Sequence, residues 1–254
     1  MVSIKNDEEI VKMRIASSIV YETLEYLKTL VCVSVSTAEL NRAADEFIRS
    51  KGAIPGFLNY NGFPASICIS VNDEVVHGIP GKRKLQDGDI VSLDVGAYID
   101  GFHGDGARTY LVGNVDQKVQ QLVKVTKECF FKGIEQAVQG NHIADISLAI
   151  ENHAKSFGYG VVRALVGHGI GRKLHEAPEV PNFCDRRMGR GIKLLSGMTI
   201  AVEPMINLGS GEVFTDRDNG WTVHTIDNAP SAHYENTILI TESAPVILTA
   251  PLEE

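Results

Sequence analysis

The chain has 254 residues, 44% hydrophobic and 22% charged, with a formal net charge of −8. This length and balance allow one large domain or two small ones around a sizeable core, and exclude a disordered or fibrous chain. No apolar run approaches the ~20 residues that span a bilayer, and basic residues gather only in short stretches at 81–84 and 185–190, which excludes nucleic acid as the primary ligand.

The opening residues carry Lys5, Asp7, Glu8 and Glu9 and lack the apolar core of a secretory signal, which predicts a cytoplasmic protein. Cys32, Cys68, Cys129 and Cys184 form no C-x-x-C pair, so reduced and mostly buried thiols are expected. Along the chain, Ile10, Val11, Ile15, Ile19, Leu24 and Leu27 predict a helix over 6–30, capped by Asn6 or Asp7. Ser36-Thr37-Ala38-Glu39 is a capping box opening a second helix that stops near Gly52. Pro55, Gly56, Gly62 and Pro64 mark a loop, and 67–71 and 90–95 predict strands. Helical periodicity returns over 117–138 and 143–157, and strands follow at 199–202 and 237–241.

The chain also carries a weak internal repeat. Residues 37–52 align without gaps on 143–158, His77-Gly78-Ile79 answers to His168-Gly169-Ile170, and 88–94 answers to 197–203. In the last pair an acid, Asp94 or Glu203, follows a glycine by six positions at the end of an apolar strand. Two related halves, about 1–112 and 113–254, predict a single α+β domain with pseudo-twofold symmetry and a site at the junction of the halves. The histidine match sets His77 and His168 on opposite sides of one cleft.

A hairpin turning near 99–101 brings Asp94 and Asp105 side by side across the ladder. Two carboxylates so placed either lie solvated at the surface or repel one another until a cation joins them. Glu203, which ends an apolar strand before Pro204, and Glu235, which precedes Thr237-Ile238-Leu239-Ile240, pose the same choice. Taken singly, each is a paired structural acid as readily as a ligand, and His168, among glycines, is a structural hydrogen-bonding group as readily. Four acids on four strand-like segments, two in each half, favour a shared metal site. With one imidazole they form an oxygen-rich set suited to Mn²⁺, Fe²⁺, Co²⁺ or Zn²⁺, able to hold two ions ~3.5–4 Å apart around a bridging hydroxide nucleophile.

The order Asp94, Asp105, His168, Glu203, Glu235 resembles the ligand pattern of the pita-bread metallopeptidases. The flanking motifs are similar to those of the bacterial type I methionine aminopeptidase family. They are Gly62-Phe63-Pro64-Ala65-Ser66-Ile67-Cys68, Val76-His77-Gly78-Ile79-Pro80, Gly101-Phe102-His103-Gly104-Asp105, Gly167-His168-Gly169-Ile170-Gly171 with His175-Glu176-Ala177-Pro178, Glu203-Pro204-Met205 and Gly220-Trp221-Thr222-Val223. The resemblance implies a pita-bread fold, a curved antiparallel sheet covered by helices. It implies two divalent ions, drawn from cobalt, manganese, iron, zinc and nickel. Asp94 would ligate one and His168 with Glu203 the other, while Asp105 and Glu235 bridge both. Glu203 would also relay a proton between nucleophile and leaving amine. His175 would donate to the carbonyl oxygen, and His77 would contact the residue after the scissile bond. Tyr60, Phe63, Cys68, Leu174 and Trp221 fall where the family builds its methionine pocket.

The activity so implied is removal of the initiator methionine from nascent polypeptides when the second residue is small, by a monomeric cytoplasmic enzyme that meets its substrates at or near the ribosome. Phe63 and Leu174 stand where some relatives carry tyrosine and phenylalanine, and Gly106 where a small hydroxylated residue or alanine is frequent. His103 and His233 lie two residues before Asp105 and Glu235, hence on the same strand faces. The family pattern gives them no ligand role, and they are read as groups that steady the ligands or the strands. An Xaa-Pro peptidase shares the five ligands but carries a long N-terminal domain, for which Asp94 arrives too early.

Overall fold

The computed structural model describes residues 2–185, 187 and 189–252; Arg186 and Met188, within the basic stretch at 185–190, lie outside them. Helix α1, Asp7–Leu30, begins where the caps predict: Glu9 N–H donates to the Asn6 side chain (3.0 Å) and Asn6 N–H to the Glu9 carboxylate (3.1 Å). Met13, Ala16, Val20, Leu24 and Leu27 fall on one side of the helix and are buried against the sheet. Helix α2, Thr37–Ser50, opens on the Ser36–Glu39 capping box, and α4, Ile143–Ser156, opens with His142 N–H donating to Asp145. Each has 14 residues, and each is followed by a glycine at φ 78°, Gly52 and Gly158, which ends the helix where a side chain would be strained. Helix α3, Gln117–Ile134, stops short of the predicted residue 138.

The helices cover one face of a nine-stranded, fully antiparallel sheet. At its centre is the long hairpin of Ile90–Ile99 with Phe102–Leu111. Glu235–Leu239 pairs beside the hairpin, followed by Thr199–Val202, Gly167–Gly169 and Glu176–Val180. Cys68–Val71 flanks the other side of the hairpin. The sequence alternation decides which face each side chain takes. Val91, Leu93 and Val95 join the core under α1 and α2, and Ile200, Val202 and Ile238 join the core under α3 and α4. Gly104 lets α1 approach closely, since a Cβ there would lie 2.6 Å from the Ser17 backbone. The residues between these apolar positions point away from the helices, and they build the site.

Two three-stranded sheets complete the rim of that open face. One joins Glu74–Val76, Val223–Thr225 and Val213–Thr215; the other joins Gly160–Val161, Met205–Asn207 and Ser231–His233. The strand register corrects one sequence alignment. Ser70 faces Ser92, two residues before Asp94, and His168 faces Ala201, two residues before Glu203. The residue matching His168 is therefore Ser70, and not His77, because His168 lies within a paired strand whereas His77 follows the end of one at Val76. Among the described residues no helix is long and apolar enough to cross a membrane.

Candidate metal centre

Two neighbouring rows of the sheet carry the five candidate ligands. In the first, Asp94 faces Ala107 and Ala107 faces Glu235 across three strands. Asn236 faces Val202, so Glu203, one residue past its strand, follows in the same row. In the second row Gly96 faces Asp105, and His168 faces Ala201, which faces Thr237. Thr237 Oγ1 accepts from Asp105 N–H (3.1 Å) and donates to Asp105 O (2.9 Å), closing that row. Asp94 and Asp105 are thus diagonal neighbours on one face, two residues out of the direct opposition expected from the hairpin. Glu235 opens its strand rather than preceding it. Ala107 and Ala201 keep the space above the sheet between the acids nearly free of side chains.

Asp105, His168 and Glu235 are buried, as is His233, which is 1% exposed. Among the described residues, the ion-pair partners of Asp105, Glu203 and Glu235 are imidazoles alone: His168 Nε2 lies 3.7 Å from Asp105 and from Glu203, and His233 Nε2 lies 3.8 Å from Glu203 and from Glu235. The Arg108 guanidinium donates to the Glu235 backbone carbonyl (2.5 Å) and to Asn236 Oδ1 (2.6 Å), not to the carboxylates. Burial, and then mutual repulsion, push the Asp105 and Glu203 carboxyls well above their usual range, with Glu235 likewise raised and Asp94 pushed up to about 7. Burial also drives the His168 imidazole down to about 3, so it presents a neutral lone pair. Asp94 Oδ1 and Glu235 Oε1 are buried without a hydrogen-bond partner.

Four carboxylates packed with neutral imidazoles and no fixed cation are costly as they stand. They fit a divalent ion, which reverses the sign of every repulsion. Ligand atoms of Asp105, His168 and Glu235 lie within 4.8 Å of one another, and so do those of Asp94, His233 and Glu235.

The acids form the floor of a cavity of about 190 Å³. Tyr60, Phe63, Cys68, Leu174, Trp221, His77 and His175 all line it, together with the five candidate ligands. Phe63 meets Trp221 edge-on, with ring centroids 5.2 Å apart. His175 shares a 2.7 Å hydrogen bond through Nδ1 with the Tyr60 hydroxyl, and its ring lies 4.1 Å from that of His168. His77 holds a left-handed backbone, φ 59°, which turns its ring into the cavity beside Trp221. His103 does not line this cavity; its ring lies tilted against that of Tyr98, with centroids 4.6 Å apart. Two lining residues escaped the sequence reading, Asn61 and Phe57. The Phe57 ring rests on Gly96, where a Cβ would stand 2.6 Å from it, and only the pairing of distant strands reveals that contact.

Residues 11–242 match metallopeptidase family M24. A methionine aminopeptidase of Clostridium acetobutylicum is 53% identical over 250 residues, covering 98% of this chain and 99% of that protein. The crystal structure of a methionine aminopeptidase from Rickettsia prowazekii superposes with a TM-score of 0.95 at 42% identity, covering 98% of this chain and 100% of the other. An Xaa-Pro dipeptidase from Bacillus anthracis superposes with a TM-score of 0.79 at 24% identity and extends well beyond the match, which covers 63% of it; that likeness shows the shared pita-bread fold. The chain therefore belongs to metallopeptidase family M24, as a metal-dependent aminopeptidase of the methionine aminopeptidase branch.

Proposed function

We propose that this chain releases the N-terminal methionine of polypeptides whose second residue is small, using two divalent ions held by Asp94, Asp105, His168, Glu203 and Glu235. The observation that carries the reading is the juxtaposition of unpaired buried carboxylates with a cavity sized for one side chain. When bound, the ions supply Lewis acidity toward the scissile carbonyl and an acidified water. The protein does the rest. Phe63, Cys68, Leu174, Trp221 and Tyr60 surround the methionine side chain, and aromatic and thiol groups suit a thioether by dispersion. Glu203 stands between His168 and His233 at the cavity floor, placed to accept a proton and return it to the departing amine. His175, held through Nδ1 by Tyr60, keeps Nε2 for the carbonyl oxygen as charge develops. His77 is placed to hold the backbone beyond the scissile bond.

We read the two halves as one catalytic unit, a cytoplasmic monomer acting on chains as they leave the ribosome. The test is methionine release by metal-loaded protein. Met-Ala-Ser should be cleaved, Met-Leu and Met-Arg peptides should resist, and Asp94→Asn should lose both metal and activity. Faster cleavage of Xaa-Pro peptides than of Met-Ala-Ser would overturn the reading.

A further inference from the structure

Besides His168, a second imidazole faces the acids. His233 ends the strand Ser231–His233, which pairs with Met205–Asn207 in the sheet along the rim of the centre. It is 1% exposed, and neither ring nitrogen has a hydrogen-bond partner. An imidazole buried so completely without partners is costly, and natural proteins rarely leave one so. Its Nε2 is aimed at the carboxylates in the same manner as that of His168. Both nitrogens stand just beyond hydrogen-bond reach of two carboxylate oxygens, at 3.7 Å for His168 and 3.8 Å for His233. That spacing resembles the separation of two ligands on one ion, about 3.4 Å for tetrahedral geometry with bonds of ~2.1 Å. The two candidate ligand triads are also alike in chemistry. Each has one aspartate, one histidine and the shared Glu235: Asp105 with His168, and Asp94 with His233.

We propose that His233 is a metal ligand of this centre, supplying Nε2 to the ion that Asp94 and Glu235 hold. The inference rests on the reading of the carboxylates as a two-ion site and extends it: each ion has one nitrogen donor. A ligand imidazole needs a partner for its other N–H. His233 also borders a second cavity, of about 720 Å³, beside Arg108, Thr109 and Tyr234, but its Nδ1 is closed off from solvent as the side chains stand. A second nitrogen shifts the preference of the centre away from manganese, which favours oxygen ligands, and toward zinc, nickel and cobalt.

The deciding measurement is X-ray absorption on full-length protein loaded with two equivalents of zinc, which counts imidazoles by their outer-shell scattering. Two per pair of ions are expected in wild type and one in His233→Gln, with one ion bound at least about 10-fold more weakly in the variant. Competition between zinc and manganese should show the selectivity ratio falling in that variant. An unchanged imidazole count between wild type and His233→Gln overturns the proposal, because a residue that only steadies Glu203 and Glu235 would weaken binding without altering the count. If His233→Gln does not fold, the wild-type count decides alone: one imidazole per pair of ions sinks the proposal while leaving the two-ion reading intact. Protein that binds no divalent ion sinks both.

Discussion

At the scale of single residues, the roles separate by what each side chain touches. His175 lines the cavity and bonds to Tyr60, but it belongs to neither candidate ligand triad. On the proposed role, removing its imidazole removes a donor to the transition state while leaving the ions in place. His175→Ala is expected to lower kcat by roughly 10²–10³-fold, the usual loss for such a donor, with metal content unchanged. Elemental analysis beside single-turnover kinetics checks this, and a collapse of metal occupancy would show that the imidazole ligates instead. His77 differs in kind, since its left-handed φ of 59° strains the backbone to aim the ring. His77→Asn, which tolerates that conformation, should preserve the melting temperature and raise KM for tripeptides more than for Met-amide substrates, which lack the backbone it would contact.

Elements matter here because the sheet acts as a ruler. Alternation sends Leu93, Val95, Ile200 and Val202 into the helix-covered core and leaves Asp94, Glu203, Asp105 and Glu235 on the other face. The gaps in that face are as informative as the acids. Ala107 lies between Asp94 and Glu235 in one row, so its methyl is the floor of the space an ion would fill. Ala107→Leu should weaken divalent binding by at least the roughly 10–100-fold that perturbing a ligand's surroundings costs, while circular dichroism shows the sheet intact. Tight metal binding by that variant would mean the ions lie elsewhere. At the far end of the chain, the Asn6–Glu9 capping box fixes the start of α1, and Glu9 also accepts from Arg172 (3.0 Å). Asn6→Ala should cost about 1 kcal/mol of stability, read from denaturant midpoints, with no change in metal affinity.

For the whole molecule, the centre makes stability depend on metal and pH together. Carboxyls titrate near 4 in an unfolded chain, whereas in the metal-free fold Asp94 titrates at about 7 and Asp105, Glu203 and Glu235 are also raised by burial. A raised folded-state value means the fold holds more protons, so stability falls as pH rises through it. The buried imidazoles act in the opposite sense. Burial lowers His168 and His233 to about 3 and His77 and His103 to about 4, from 6.5. They leave the fold with fewer protons than the unfolded chain, so stability falls as pH drops below about 6.5. Between about pH 4 and 6.5 the two sets oppose one another, and above about 6.5 the carboxyls act alone, so metal-stripped protein should lose stability as pH rises past about 6.5. Saturating zinc, at about 100 times its dissociation constant, should add about 2.7 kcal/mol per ion and flatten the alkaline limb. A melting temperature that stays level between pH 6.5 and 8.5 without metal would contradict this account.

Much of this protein was written in local order. The capping boxes at Asn6 and Ser36, the glycines that end α2 and α4, and the apolar periodicities set the helices within a few residues, because each depends on neighbours three or four positions away. The four acids and the one imidazole could be singled out as well, since carboxylates are conspicuous at the ends of apolar strands. What tertiary structure alone decided is their relation in space. The register set Asp94 diagonal to Asp105 and gave His168 the place of Ser70. It also laid Phe57 over Gly96, and it made His233, read from the sequence as a group that steadies the ligands or the strands, a buried imidazole facing Glu203 and Glu235. Registers between strands, whether across one hairpin or as far apart as Ala107 and Glu235, are settled by burial and hydrogen bonding of the complete sheet, and no local pattern carries that information.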